Sequence, residues 1–125
     1  MSITFNELLH GHLISDVPIA CQHNLEELLK RINVIRDAWA KPMTVTSGFR
    51  TQADQMRINP KAPNSAHTRG QAVDILDEGL ELTAWLKGDG AKLAEETGLW
   101  FEEGNKNWVH AQIVAPRSGH RWFLP

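Results

Sequence analysis

The sequence predicts an α+β domain, a small antiparallel sheet with helices packed on one face and a functional site on the other. Three observations carry this. Leu25, Leu28, Leu29, Ile32, Ile35 and Trp39 recur at three- and four-residue steps, which marks one long amphipathic helix. Residues 43–47 and 71–76 are short, β-branched or alternating runs of the kind that form half-buried strands. Two further runs, 99–103 and 108–114, flank Gly104-Asn105-Lys106-Asn107 and read as a hairpin around that turn. At 125 residues the chain makes one domain, 1–125, long enough for a real core.

Residues 1–22 form a mixed arm, a short helix at Phe5–Leu9 followed by a loop through Pro18. The long helix spans 25–40. Asn24 can cap it, Glu27 can reach back to complete the cap, and Pro42 stops it. Met43–Ser47 is a strand ended by Gly48, and 51–58 a short helix. Residues 59–66 carry the proline and asparagine of a loop. In the strand Gln71–Leu76, Val73 and Ile75 face the core, so Ala72 and Asp74 face the other way. Residues 78–97 are helical, broken around Gly88-Asp89-Gly90 and ended by Gly98. In the last strand Val109, Ala111 and Ile113 face the core, while Trp108, His110 and Gln112 share the opposite face. Period-two geometry thus sets Asp74 and His110 on non-core sheet faces.

Composition excludes several classes. Hydrophobic residues at 42% and charged residues at 22% describe an ordinary soluble globular protein. A net charge of −2 without runs of like sign argues against nucleic-acid or anionic-membrane partners. No apolar stretch is long enough to span a bilayer. Glu7 stands where a signal peptide needs an apolar core, so no usual export signal is expected. Cys21 is the single cysteine, so a metal here must use histidine and carboxylate ligands.

Such ligands are present. Ser65–Asp74 reads S-x-H-x-x-G-x-A-x-D, and Trp108-Val109-His110 follows. His67, Asp74 and His110 make a three-ligand set for one zinc ion, which leaves the fourth tetrahedral position to water as catalytic sites do. Gly70 permits a tight turn and close backbone approach, and Ala72 leaves space on the Asp74 face.

The order Ser47-Gly48-Phe49-Arg50, Ser65–Asp74, Trp108-Val109-His110 resembles the zinc D-Ala-D-Ala carboxypeptidase family. That family includes D,D-dipeptidases, L-Ala-D-Glu endopeptidases of tailed phages and the hedgehog signalling domain. The chain is most similar to its short phage and prophage branch, in which an Asn-Leu-rich helix leads to a proline, a strand and S-G-[YF]-R. The resemblance covers essentially the whole chain. It implies a hedgehog/D,D-peptidase-like fold and zinc held by His67, Asp74 and His110. It also implies that Arg50 contacts substrate or the developing oxyanion and that Ser65 hydrogen-bonds substrate. Trp108, on the site face, would wall the cleft.

Several branches of the family place a Glu or Asp three residues before the last histidine ligand. Here that residue is Asn107, which cannot take a proton. Glu102 and Glu103 are the nearest acids. If the hairpin closes on Asn105-Lys106, Phe101 lies opposite His110 and Glu103 lies opposite Trp108, on the site face. A turn one residue longer or shorter swaps the two acids. Glu103 is the assignment adopted.

By resemblance the chain is expected to be a monomeric peptidase cutting the stem peptide of bacterial peptidoglycan, at a D-Ala-D-Ala or an L-Ala-D-Glu bond. It would be a phage or prophage endolysin or a virion-borne lysin, made in the host cytoplasm and acting at the wall or periplasm. Asn107 keeps open an alternative, a non-catalytic zinc module that has lost its base. A cytosolic metallohydrolase acting on a small dipeptide is a third reading. His10, His12 and His23 read as scattered residues of a mobile arm, and His120 as a surface residue or a partner of the site. Trp39, Trp85 and Trp100 read as core.

Overall fold

The computed structural model describes residues 2–125. Its elements are α1 (Phe5–Leu9), α2 (Ile19–Trp39), β1 (Val45–Ser47), α3 (Gln52–Ile58), β2 (Ala72–Leu76), α4 (Glu81–Lys87), α5 (Ala91–Glu96), β3 (Trp100–Glu102), β4 (Trp108–Gln112) and β5 (Trp122–Phe123). The strands form one sheet in the order β1-β2-β4-β3-β5. All neighbours are antiparallel except β5, which runs parallel to β3. The α+β class is as expected; the two-residue strand β5 is an addition to it.

The core lies between this sheet and α1 and α2. Leu25, Leu28, Ile32 and Ile35 of α2 are buried, and Leu29 and Trp39 pack partly buried beside them. They meet Val73 and Ile75 of β2, Phe101 of β3, and Val109 and Ala111 of β4. The helix starts earlier than its apolar spacing suggests. Pro18, with φ −54°, is the N-cap, and the first turn carries no buried side chain. Asn24 therefore caps nothing: its Nδ2 donates to the Arg69 carbonyl (2.9 Å). Glu27 accepts instead from Arg31 Nε (2.9 Å). The helix ends at Trp39, ahead of Pro42, with Ala40 in the left-handed region. The arm before it is pinned as well. His12 Nε2 lies 2.7 Å from Asp54 Oδ2, and its ring packs edge-on against Phe49.

Two registers position the site. Asp74 stands directly across from His110 in the β2–β4 ladder. In the β3–β4 ladder Trp100 pairs with Gln112 and Phe101 with Ala111. Phe101 therefore does not face His110, and the connection is one residue longer than a turn centred on Asn105-Lys106 would make it. Leu99 and Phe101 are the apolar pair that enters the core, at 0% and 1% exposure. Their burial sends Glu102 to the site face and Glu103 away from it.

Candidate metal centre

The segment leaving β1 supplies the first support. A Cβ on Gly48 would stand 2.3 Å from the Leu8 carbonyl oxygen, so only glycine lets the end of α1 sit on this backbone. Phe49 N–H donates to that same oxygen (2.8 Å). The Gly48 carbonyl in turn accepts from His67 Nδ1 (2.9 Å). That bond places the proton on Nδ1 and leaves the Nε2 lone pair facing Asp74 Oδ2, 3.3 Å away. His67 rides on a short 3-10 turn, Ala66–Arg69, capped by the Ser65 hydroxyl, which accepts from His67 N–H. Gly70 closes the turn at φ 72°; a Cβ there would lie 2.6 Å from the Cys21 carbonyl of α2. The ligand loop is thus moored to α2 through Gly70 and Asn24.

The other two ligands come from the sheet centre. His110 Nδ1 lies 2.9 Å from Asp74 Oδ1. On its far side His110 Nε2 meets Gln112 Oε1 at 2.7 Å. Gln112 spends its own amide N–H on the Val114 carbonyl (2.8 Å), so its oxygen is the end that faces the imidazole. Nε2 therefore carries the proton, and Nδ1 is the nitrogen free to ligate. His67 is buried, and the Asp74 and His110 side chains keep only a small opening to the cleft, 12% and 10% exposed. One ligand atom from each lies within 4.8 Å of the others. Ligands about 2.0–2.1 Å from a tetrahedral zinc stand roughly 3.3 Å apart, and the separations of 3.3 and 2.9 Å here match that scale. Donor chemistry, tautomers and spacing all fit a zinc ion.

Electrostatics agree. Burial alone would raise the Asp74 pKa, but without a metal the imidazoles of His110 and His67 can take a proton on the nitrogens facing it, and their hydrogen bonds and charge then hold the carboxyl well below its ordinary range. Burial alone would lower His110. The bond to Asp74 and its charge, the bond to Gln112 and the charge of Glu102 together raise it.

Arg50 is fixed on three sides. Nε donates to Ser47 Oγ (3.0 Å) and Nη1 to Gln55 Oε1 (3.0 Å), while Nη2 lies 3.6 Å from Asp74 Oδ2. Gln55 is 1% exposed and also donates to the Ala62 carbonyl (2.8 Å), clipping the 59–62 loop to the site wall. With the three ligands, Arg50, Ser65, Glu102, Trp108 and Gln112 line a cleft of about 560 Å³.

The structure thus brings together His67, Asp74, His110, Arg50, Ser65 and Trp108. It does not bring Glu103. That carboxylate binds Lys87 Nζ (2.7 and 2.8 Å), and the same ammonium sits over the Trp122 ring. The longer β3–β4 connection, with Phe101 turned into the core, is the reason, and Glu102 holds the place expected of Glu103. Asn107 is exposed, its carbonyl engaged by Asp77 N–H. His23 and His120 are exposed. Among the described residues no histidine outside the His67–Asp74–His110 cluster joins a group of three metal-binding side chains. Trp39 and Trp85 pack on each other against the core, and Trp100 lies half-buried under Arg121. The supporting roles of Gln55 and Gln112 carried no sequence signal beyond the position of Gln112 on the His110 face.

A family model described as peptidase M15 matches residues 2–112. The chain belongs to the peptidase M15 family. Its His67–Asp74–His110 cluster is consistent with the metal site of an M15 metallopeptidase. Among solved structures the chain is similar to the Serratia marcescens L-Ala D-Glu endopeptidase ChiX, at 21% identity and a TM-score of 0.49. That match covers 81% of this chain and 91% of the other. No curated protein matches the chain.

Proposed function

We propose that this M15 chain is a zinc peptidase that hydrolyses a bond in the peptidoglycan stem peptide, D-Ala-D-Ala or L-Ala-D-Glu. The observation that carries the reading is one cleft holding three convergent ligands, a fixed guanidinium and a carboxylate, Glu102. Bound zinc supplies Lewis-acid activation of water and of the scissile carbonyl. Glu102 takes the proton of the attacking water and passes it to the leaving amine as the C–N bond breaks. Arg50, held by Ser47 and Gln55, stabilises negative charge growing on the carbonyl oxygen. The Ser65 oxygen accepts from His67 N–H, which leaves its own hydrogen to donate to substrate. Trp108 walls the cleft beside the peptide.

Glu102 in the cleft weighs against a non-catalytic zinc module, whose ground was the missing acid at Asn107. We further propose that it is a phage or prophage endolysin or a virion-borne lysin, made in the host cytoplasm and acting at the wall. Among the described residues no helix is long and apolar enough to cross a membrane. The test is digestion of purified peptidoglycan by zinc-loaded and chelated protein, with mass spectrometry of the products. Stem-peptide fragments should appear only with zinc, and their new termini identify the bond. A zinc-saturated protein that releases nothing overturns the proposal.

A further inference from the structure

The β3–β4 connection contains Asn105, half-buried between two cleft residues. With its amide nitrogen toward Glu102 and its oxygen toward Trp108, it donates to Glu102 Oε1 (3.1 Å) and accepts from Trp108 Nε1 (3.3 Å). The reverse orientation would set oxygen against carboxylate and N–H against N–H, so this orientation is the one that satisfies both neighbours. We propose that Asn105 is a positioning residue, a clamp that ties the Glu102 carboxylate to the Trp108 wall and holds it toward the metal ligands. The proposal rests on Glu102 being the proton acceptor.

The chemistry of the bridge is specific. An indole N–H only donates and a carboxylate only accepts, so the bridging group must offer both functions. A primary amide does so without charge. Aspartate would keep the indole bond and repel Glu102; alanine would hold neither. The contrast with the neighbouring acid is direct, since Glu103 is ion-paired with Lys87 while Glu102 accepts from a neutral donor. Only Oε1 is engaged by Asn105. Fixing one carboxylate oxygen removes rotamer freedom from a long side chain and leaves the other oxygen to act, and small losses of such alignment are costly in rate.

The experiment measures kcat and KM on a soluble stem peptide containing both candidate bonds, for wild type, Glu102→Gln, Asn105→Ala and Asn105→Asp. Zinc affinity and the Trp108 indole N–H resonance are followed in parallel. Both Asn105 variants should lose about tenfold or more in kcat, with KM within about twofold and zinc affinity unchanged. Asn105→Ala should move the indole resonance; Asn105→Asp should keep its hydrogen-bonded position and still lose rate, which isolates the link to Glu102. Wild-type kcat in either Asn105 variant, alongside an inactive Glu102→Gln, overturns the clamp alone. Full activity in Glu102→Gln overturns the role of Glu102 and the clamp with it. A loss confined to KM or to zinc affinity also contradicts it.

Discussion

Replacing Gln112 by alanine should weaken zinc binding without touching a ligand. Gln112 Oε1 is 2.7 Å from His110 Nε2, and Gln112 is 9% exposed. Its removal strips a buried imidazole N–H of its acceptor and releases the tautomer that presents Nδ1. An unsatisfied buried donor costs about 1–3 kcal/mol, which is roughly 5- to 150-fold in a binding constant at about 1.4 kcal/mol per decade. Loss of a hydrogen-bond partner behind a histidine ligand typically weakens metal affinity about 10- to 100-fold. The two routes agree, so the dissociation constant for zinc should rise about 10- to 100-fold. Competition against a chromophoric chelator at fixed pH reads this directly. Gln112→Glu, which restores an acceptor, should recover most of the affinity. An alanine variant that binds zinc within about twofold of wild type refutes the argument that Gln112 sets the state of His110.

Other outcomes follow from the same geometry. Gly48→Ala places a Cβ against the Leu8 carbonyl and should cost about 1–3 kcal/mol of stability by overpacking, read by chemical denaturation; an unchanged midpoint would mean that α1 shifts freely. Arg50→Lys keeps the charge but not the planar three-way hold, and should lower kcat roughly a hundredfold, measured by steady-state kinetics. In the metal-free protein the raised His110 gives stability that is present below its ordinary 6.5 and lost as pH climbs through its folded value. The lowered Asp74 gives stability that is present above 3.8 and lost as pH falls through its folded value. The metal-free Tm should therefore fall as pH rises above 6.5, and stabilisation by zinc should grow in the same direction because protons no longer compete for His110; calorimetry with and without chelator measures both.

The sheet faces were legible because they depend on local periodicity, whereas the His67 loop was legible only through its motif. Val73, Ile75, Val109 and Ala111 alternate with Asp74 and His110, and the core takes the apolar members. The start of α2 was not legible, since its first turn buries no residue fully and its N-cap is Pro18, ahead of the apolar spacing. Face assignment in β3 depended on turn length, which a Gly-Asn-Lys-Asn sequence leaves open. The burial of Leu99 and Phe101 decided it, and their alternation was the signal available in the sequence. Gln55 and Asn105 act through partners brought near by the tertiary fold, and β5 is a two-residue strand whose pairing exists only once β3 is in place.

The central claim is that a peptidoglycan peptidase works here through Glu102 rather than Glu103. Its most direct test is digestion of purified peptidoglycan by zinc-saturated wild type, Glu102→Gln and Glu103→Gln, with fragments quantified by mass spectrometry. The wild type and Glu103→Gln should release the same stem-peptide fragments at similar rates, while Glu102→Gln should fall by at least about a hundredfold with its zinc retained. Full activity in Glu102→Gln, or loss in Glu103→Gln alone, would contradict the account.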